Sequence, residues 1–145
     1  MKSRRGGFTL IELLIVVAII LIISAISVPH LLRSKMSANE TSALGRLTTL
    51  NNVLFDYWSN YDSYPTSLAG LDSANSLLAS GAHGGYMFTY NAGPPDSNGI
   101  SQSYTIRAVP ASPGLTGRRY FFTDQSGLIR AGESDTSLVL GSPVN

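Results

Sequence analysis

The chain has 145 residues, of which 43% are hydrophobic and 13% charged, with ten basic and nine acidic side chains. Its length leaves room for one modest domain. It has no cysteines, which excludes disulfides and cysteine-rich zinc sites, and its balanced charge excludes a polybasic nucleic-acid surface.

The first seven residues, 1–7, are basic, with Lys2, Arg4 and Arg5 ahead of the pair Gly6-Gly7. Segments rich in Lys and Arg tend to stay in the cytoplasm, so the larger C-terminal part is expected to be exported. A secretory signal carries its small residues after the apolar run, whereas here they precede it. Cleavage after the glycine pair would therefore leave the apolar segment on the mature chain.

Residues 8–28 form an apolar run that contains one ionisable side chain, Glu12. As a helix rising about 1.5 Å per residue, the run would reach about 31 Å, enough to cross the hydrocarbon core of a bilayer. It is longer than the apolar region of a secretory signal, which has roughly 7–15 residues. The sequence therefore predicts a membrane-spanning or filament-core helix over residues 8–29.

The order of these features resembles the type III signal of type IV pilins and type II secretion pseudopilins. The residues that carry the resemblance are RGGFTLIELL. The resemblance implies that a prepilin peptidase removes residues 1–7 by cutting between Gly7 and Phe8. It also implies N-methylation of Phe8. Glu12, the fifth residue of the mature chain, would be the glutamate used in assembly. Thr9 is a candidate to assist it, although a plain role at the helix start also explains this threonine.

The amphipathic part of the predicted helix follows Pro29. A proline removes one backbone donor and can kink a helix without ending it, and the resemblance favours a kink here over a stop. Over residues 30–61 apolar side chains recur every three or four positions, which predicts a helix with one buried face. The predicted face consists of Leu44, Leu47, Leu50, Leu54, Trp58 and Tyr61.

The C-terminal half is expected to form a sheet. Residues 62–85 are predicted to connect it to the helix, with leucines at 68, 71, 77 and 78 tucked beneath it. From residue 86 onward the apolar period falls to two, which indicates strands starting at Tyr86, Tyr104 and Tyr120, a short strand over 128–130 and an edge strand over 137–140. Short connections predict an antiparallel meander of three to five strands over residues 86–145.

The predicted fold class is therefore α+β and similar to that of pilins. A long N-terminal helix spans the membrane with its apolar half, and its amphipathic half packs on a C-terminal antiparallel sheet.

No catalytic, cofactor or metal site is expected, and the chain is not expected to be an enzyme. His30 and His83 have no ligand spacing between them. Asp124 could lie near Glu133 and Asp135, but no calcium loop is legible, and a solvated turn explains this segment better. The pair at 118–119, Arg118-Arg119, is interpreted as a solvated strand edge rather than a nucleic-acid contact.

Two classes of function remain. In the first, the chain is a structural subunit of a type IV pilus, with a pseudopilin of a type II secretion system as the alternative. In the second, it is a membrane-tethered module that binds a ligand or DNA. Glu12 and the Gly7-Phe8 junction favour a filament, since a simple anchor needs neither. Within the filament class, the lack of a legible calcium loop and of a tryptophan-centred segment near the end favours a pilin.

The expected partners follow from the resemblance. They are identical or related subunits in a helical filament, the prepilin peptidase and N-methyltransferase, the inner-membrane assembly machinery, and membrane lipid before assembly. No cofactor and no nucleic acid are expected. The chain would first cross the inner membrane once, with its N-terminus in the cytoplasm, and then enter a cell-surface pilus or a periplasmic pseudopilus.

Overall fold

The computed structural model of the chain describes residues 7–71, 82–134 and 142–143. These residues contain one long α-helix, one 3₁₀ turn and six β-strands. The chain divides into two compact units, Met1–Ser34 and Lys35–Asn145. The predicted α+β class, with a long N-terminal helix and an antiparallel sheet, is confirmed.

The helix α1 comprises Leu10–Tyr61, 52 residues, and it continues through Pro29. In the first unit every described side chain of α1 is exposed, although the sequence there is apolar on all sides. A helix with this pattern is stable only when lipid or other protein covers it. The predicted kink at Pro29 stays a prediction.

In the second unit α1 buries one face. Its buried residues are Glu40, Ala43, Leu47, Leu50, Asn51 and Leu54. Leu44 and Trp58 are only partly buried and pack at the edge of this core. The prediction placed Tyr61 on the buried face, but the tyrosine is 65% exposed because α1 ends there. The next residue, Asp62, has a φ of 50°, which stops the helical path.

The sheet is an antiparallel meander in which each strand pairs with the next along the chain. Strands β2 and β3 pair over seven positions, including Phe88 with Ala108. The strands are β1 (Ala82–His83), β2 (Tyr86–Ala92), β3 (Tyr104–Pro110), β4 (Tyr120–Asp124), β5 (Arg130–Gly132) and β6 (Ser142–Pro143).

Alternate residues of the three longest strands face α1 and complete the core. Ile106, Ala108 and Phe121 are fully buried against the helix leucines. Before the sheet, the 3₁₀ turn Leu68–Gly70 brings Leu68 into the same core. Leu71 is partly buried, whereas the leucines at 77 and 78 lie outside the described residues.

The sheet has six strands rather than the predicted three to five, because β1 and β6 have two residues each. Two residues show no periodicity, so sequence patterns do not reveal such strands. The strand predicted at 128–130 begins only at Arg130, since Asn51 and Ser126 occupy backbone groups of Gly127 and Leu128. The edge strand predicted at 137–140 lies outside the described residues.

A buried polar network fixes the helix against the sheet. The Asn51 amide donates to the hydroxyl of Thr123 at 2.9 Å and to the carbonyl of Gly127 at 3.0 Å. The Tyr104 hydroxyl donates to Asn51 Oδ1 at 3.1 Å. Because buried polar groups are costly unless paired, this network favours a single register of helix on sheet.

Candidate processing and assembly site

The first described residues precede α1 and are exposed. Gly7, Phe8 and Thr9 lie outside regular structure, and α1 begins at Leu10. Phe8 exposes 80% of its surface. A Cβ atom added at Gly7 would meet no other atom within 4 Å. The fold therefore imposes no steric demand for glycine at position 7.

Thr9 and Glu12 form a reciprocal cap at the start of α1. The backbone N–H and the hydroxyl of Thr9 both donate to Glu12 Oε2 at 2.8 Å, and the Glu12 N–H donates to Thr9 Oγ1 at 3.3 Å. This arrangement is a capping box, which satisfies backbone donors that a helix start leaves unpaired. The helix-start role that the sequence allowed for Thr9 therefore has a structural basis.

The surroundings of this cap are apolar. The neighbours Leu10, Ile11 and Leu13 are each more than half exposed. By length and composition α1 is able to cross a membrane, and none of its apolar window is buried in the described part of the chain. A carboxylate among such side chains is disfavoured in lipid unless it finds a partner. The site therefore combines a large uncovered apolar surface with one carboxylate near its start.

Pro29 lies beside a shallow groove in the first unit. A proline has no N–H, so the carbonyl of Ala25 lacks its usual helical donor. Ala25, Ile26, Pro29, His30 and Arg33 line an open cavity of about 240 Å³ at this position. The groove is compatible with a bend, and the helical assignment continues on both sides.

A second polar site joins α1 to the loop between β3 and β4. Glu40 Oε1 accepts from the backbone N–H groups of Arg118 at 2.9 Å and Arg119 at 3.2 Å, and Oε2 accepts from Arg119 Nε at 2.8 Å. Burial raises the pKa of Glu40, but these hydrogen bonds and the Arg119 charge outweigh it, so the pKa lies below its ordinary value of 4.5. The Arg119 guanidinium also lies 5.4 Å from the Phe121 ring centre.

The sequence interpretation of Arg118-Arg119 as a solvated edge was therefore incomplete. Both backbone N–H groups and the Arg119 side chain serve the Glu40 carboxylate. We call this contact of Glu40 with Arg118 and Arg119 the clamp. The position of Glu40 in the sequence could have indicated it. Glu40 lies on the same helical stripe as Ala43 and Leu47, where a carboxylate requires a partner.

The residues weighed as metal ligands lie only partly within the described chain. His30 and His83 belong to different units. Among the described residues no group of three or more His, Cys, Asp or Glu side chains could hold a metal ion. Asp124 accepts from the backbone and hydroxyl of Ser126 and pairs with Arg130 at 3.2 Å. Asp135 lies outside the described residues.

The N-terminal segment matches a known family, described as the prokaryotic N-terminal methylation motif, over residues 2–28. The type II secretion system core protein G of Aeromonas hydrophila is 36% identical over 72 residues, which are 50% of each chain. The type IV wide pilus major component PilA4 of Thermus thermophilus is 42% identical over 73 residues, 50% of this chain and 55% of that protein. The chain thus spans about half the length of such relatives.

A further relative is matched over about two thirds of its length. The type IV major fimbrial protein FimA of Dichelobacter nodosus is 33% identical over 113 residues, which are 75% of this chain and 69% of that protein. No solved structure matches the chain. The methylation motif, the pilin-like α+β fold and this similarity agree with one another. The chain belongs to the superfamily of type IV pilins and type II secretion pseudopilins.

Proposed function

We propose that the chain is a non-enzymatic structural subunit of a helical filament, assembled through the apolar half of α1. The observation that carries this proposal is the start of α1. An apolar helix exposed on all sides begins at Leu10, two residues after Phe8, and the Glu12 carboxylate accepts hydrogen bonds from Thr9. Such a helix needs a cover, and bundling with copies of itself provides one.

Processing comes first in this proposal. A prepilin peptidase removes residues 1–7 on the cytoplasmic face, and Phe8 becomes the N-methylated N-terminus. The exposed, non-helical backbone at Gly7 and Phe8 is compatible with access by a peptidase. The match of residues 2–28 to the methylation motif supports the same step. Before assembly the chain crosses the inner membrane once, with its second unit exported.

Assembly then depends on the charge of Glu12. Cleavage frees the α-amino group of Phe8, which creates a cation next to an apolar helix. Pairing this amino group with Glu12 of a neighbouring subunit neutralises two charges that would otherwise lie in an apolar filament core. A subunit docked in the wrong axial position leaves both charges without a partner, so the pair favours one register.

We further propose that the filament is a type II secretion pseudopilus. Of the first eight relatives, six are named type II secretion system core protein G, each from a different bacterium, and two are named as pilus subunits. These matches favour the pseudopilin slightly over the pilin that the sequence favoured. That preference depended on two missing motifs, which is a weaker argument than similarity over half of the chain.

A type IV pilus subunit is the second candidate. It is favoured by FimA, because FimA is 33% identical over 75% of this chain, whereas two core protein G relatives matched over 77–78% of it are 27% identical. The membrane-tethered binding module has no comparable support, since none of the relatives described above has a name of that class.

The charge of Glu12 is tested with Glu12→Gln. Glutamine keeps the capping-box acceptor but removes the charge. We expect equal amounts of processed protein in the membrane and a strong loss of filaments in a strain that assembles them. Thr9→Val is the matched control, because it removes the capping hydroxyl and keeps the carboxylate. Wild-type filament yield from Glu12→Gln would show that the charge has no role in assembly.

Deletion of the chain from its host separates the two candidates. If the chain is a pseudopilin, its deletion should stop the secretion of folded proteins and leave surface filaments and twitching unchanged. A pilin predicts the reverse pattern, and this outcome would replace the pseudopilus proposal by the pilus.

A further inference from the structure

The C-terminal end of α1 carries negative charge that forms no ion pair within the described residues. The last turn contains no basic residue, and Asp62 follows it directly. The final carbonyls of a helix carry partial negative charge, so a cation stabilises this end and a carboxylate destabilises it. Asp56 lies on the helix nearby, and neither carboxylate has an ion-pair partner within the described residues.

The same end exposes aromatic surface. Tyr61 is 65% and Phe55 62% exposed, and the rings of Tyr57 and Tyr61 lie 4.5 Å apart. We call the surface formed by Phe55, Asp56, Tyr61 and Asp62 the acidic helix end. An exposed aromatic side chain or an exposed carboxylate alone is ordinary on a protein surface. Exposed aromatic side chains beside carboxylates, however, fit a partner with complementary apolar and basic groups, so this combination indicates a binding surface.

The opposite end of the second unit carries a rigid loop, residues 111–119, which we call the arginine loop. Asn39 donates to the Thr116 carbonyl at 2.8 Å, and Glu40 binds the backbone at 118–119, so α1 holds the loop in place. Leu115 at its tip is 62% exposed. Arg118 is exposed, and its side chain has no ion-pair partner in the described part of the chain.

An open cavity of about 520 Å³ lies beside the arginine loop. Glu40, Gly114, Arg118, Arg119 and Glu133 line it. Glu40 and Arg119 form an ion pair there. The Arg118 guanidinium is then available as a donor and the exposed Glu133 carboxylate as an acceptor. The cavity is thus suited to a group that combines a carboxylate with a hydroxyl donor.

The two surfaces are too far apart to meet within one chain. The cavity residue Glu40 and the acidic residue Asp62 both belong to α1 or its end, and at 1.5 Å per residue they are separated by about 33 Å. The two surfaces therefore cannot bind each other within one copy of the chain. The acidic helix end offers a carboxylate and a phenol side by side, which is the combination that the cavity suits.

We propose that the two surfaces bind each other between copies of this chain, head to tail. Tyr61 and Asp62 of one copy enter the cavity of the next, where the Asp62 carboxylate faces Arg118 and the Tyr61 ring packs against Leu115. This inference rests on the proposed filament. The contact uses two different surfaces, so it does not close on itself and builds an open array. A two-fold contact between two acidic helix ends would instead bring like charges together.

Disulfide trapping tests this contact cleanly, because the chain has no cysteine. One full-length chain carries Tyr61→Cys, a second carries Leu115→Cys, and both are expressed together with the assembly system and then oxidised. We expect a disulfide-linked dimer from the mixture and none from either chain alone. A chain with both substitutions should give a ladder of oligomers. Met87→Cys, 49% exposed on the other face of the sheet, is the control in place of Leu115→Cys.

The charge pair is tested in the same assay. Asp62→Asn suits the positive φ at this position and removes the carboxylate from the helix end. We expect an unchanged or raised unfolding midpoint of the monomer and a cross-linking yield lower by about 5-fold, the factor for one half-exposed ion pair. Arg118→Gln should lower the yield equally, and the double substitution should lower it no further.

Three results would overturn the contact. Filaments that form without the mixed dimer would disprove this surface and leave the proposed filament intact. Dimers from a single cysteine chain would show a two-fold contact instead. If the wild-type chain forms no filament in its own host, the proposed function itself fails, and the head-to-tail contact fails with it.

Discussion

Glu40 and Arg119 are 79 positions apart in the chain, yet Oε2 of the glutamate lies 2.8 Å from Nε of the arginine. Glu40 also accepts two backbone N–H groups of the arginine loop. One carboxylate on α1 therefore holds the loop that carries Leu115 and Arg118. The helix in this way positions a surface that belongs to the sheet side of the domain.

Glu40→Ala should destabilise the second unit. The ion pair itself contributes little, because the Arg119 side chain is 46% exposed, but the substitution leaves two N–H groups without an acceptor. We expect a loss of about 1–3 kcal/mol in the free energy of unfolding. Urea unfolding of a chain without residues 1–30 measures this loss, since the buried apolar residues of the described chain lie between Ala43 and Phe121. Glu133→Ala, at an exposed position, is the control, and an equal loss from both would contradict the clamp.

The clamp also predicts acid sensitivity. The pKa of Glu40 in the folded chain lies below its ordinary value of 4.5, so the unfolded chain binds more protons in this range. Stability from this group is therefore complete above pH 4.5 and is lost as the pH falls through the lowered pKa of the folded state. Asp124, whose pKa lies below its ordinary 3.8, adds a similar loss at lower pH.

Urea unfolding midpoints measured from pH 6 down to about pH 3 test this dependence. Glu40→Gln should flatten the acid limb while leaving the part due to Asp124. Identical slopes for the wild type and Glu40→Gln would show that the Glu40 carboxylate does not govern the acid response.

Asn51→Ala should lower the free energy of unfolding more than a surface substitution of the same kind. It removes the acceptor of the Tyr104 hydroxyl and a donor to Thr123, and both partners are buried. We expect a loss of about 1–3 kcal/mol, since a buried group left unpaired bears its desolvation cost. Asn52→Ala, on the exposed side of α1, is the matched control. Thermal unfolding of both variants compares them, and a neutral Asn51→Ala would mean that water replaces the lost partners.

The helix and the three long strands could be predicted from the sequence because their apolar residues recur with a regular period. The change from an all-apolar to a one-sided pattern after Pro29 indicated both halves of α1, and alternation indicated the strands that begin at Tyr86, Tyr104 and Tyr120. The interactions of Glu40 and Asn51 were not predictable in the same way. Their partners lie more than 50 positions away, and no local period relates a helix residue to a distant strand or loop.

The candidate site was predicted unevenly. The Gly7-Phe8 junction and Glu12 were recognised by their order in the motif, whose processing and assembly roles stay proposals. The interpretation of Arg118-Arg119 as a solvated edge was incomplete: both residues are exposed, but they also bind Glu40. Only the fold shows that their backbone is used by a buried carboxylate.

The leucines of α1 offer a direct test of its buried face. Leu47 is fully buried, and Leu47→Ala should lower the free energy of unfolding by about 2–5 kcal/mol. Leu115→Ala removes the same atoms at a position that is 62% exposed, so we expect a change within about 0.5 kcal/mol. Urea unfolding of both chains measures the difference. A small effect at Leu47 would mean that α1 buries a different face.

The intact mass of the protein extracted from its own membrane shows whether this chain is processed as a filament subunit. We expect a chain that lacks only residues 1–7, begins at Phe8 and carries one methyl group on its N-terminus. Retention of the apolar run distinguishes this product from a secreted protein. A mature chain that begins after Val28, with residues 8–28 removed, would show that the protein is secreted and is not a filament subunit.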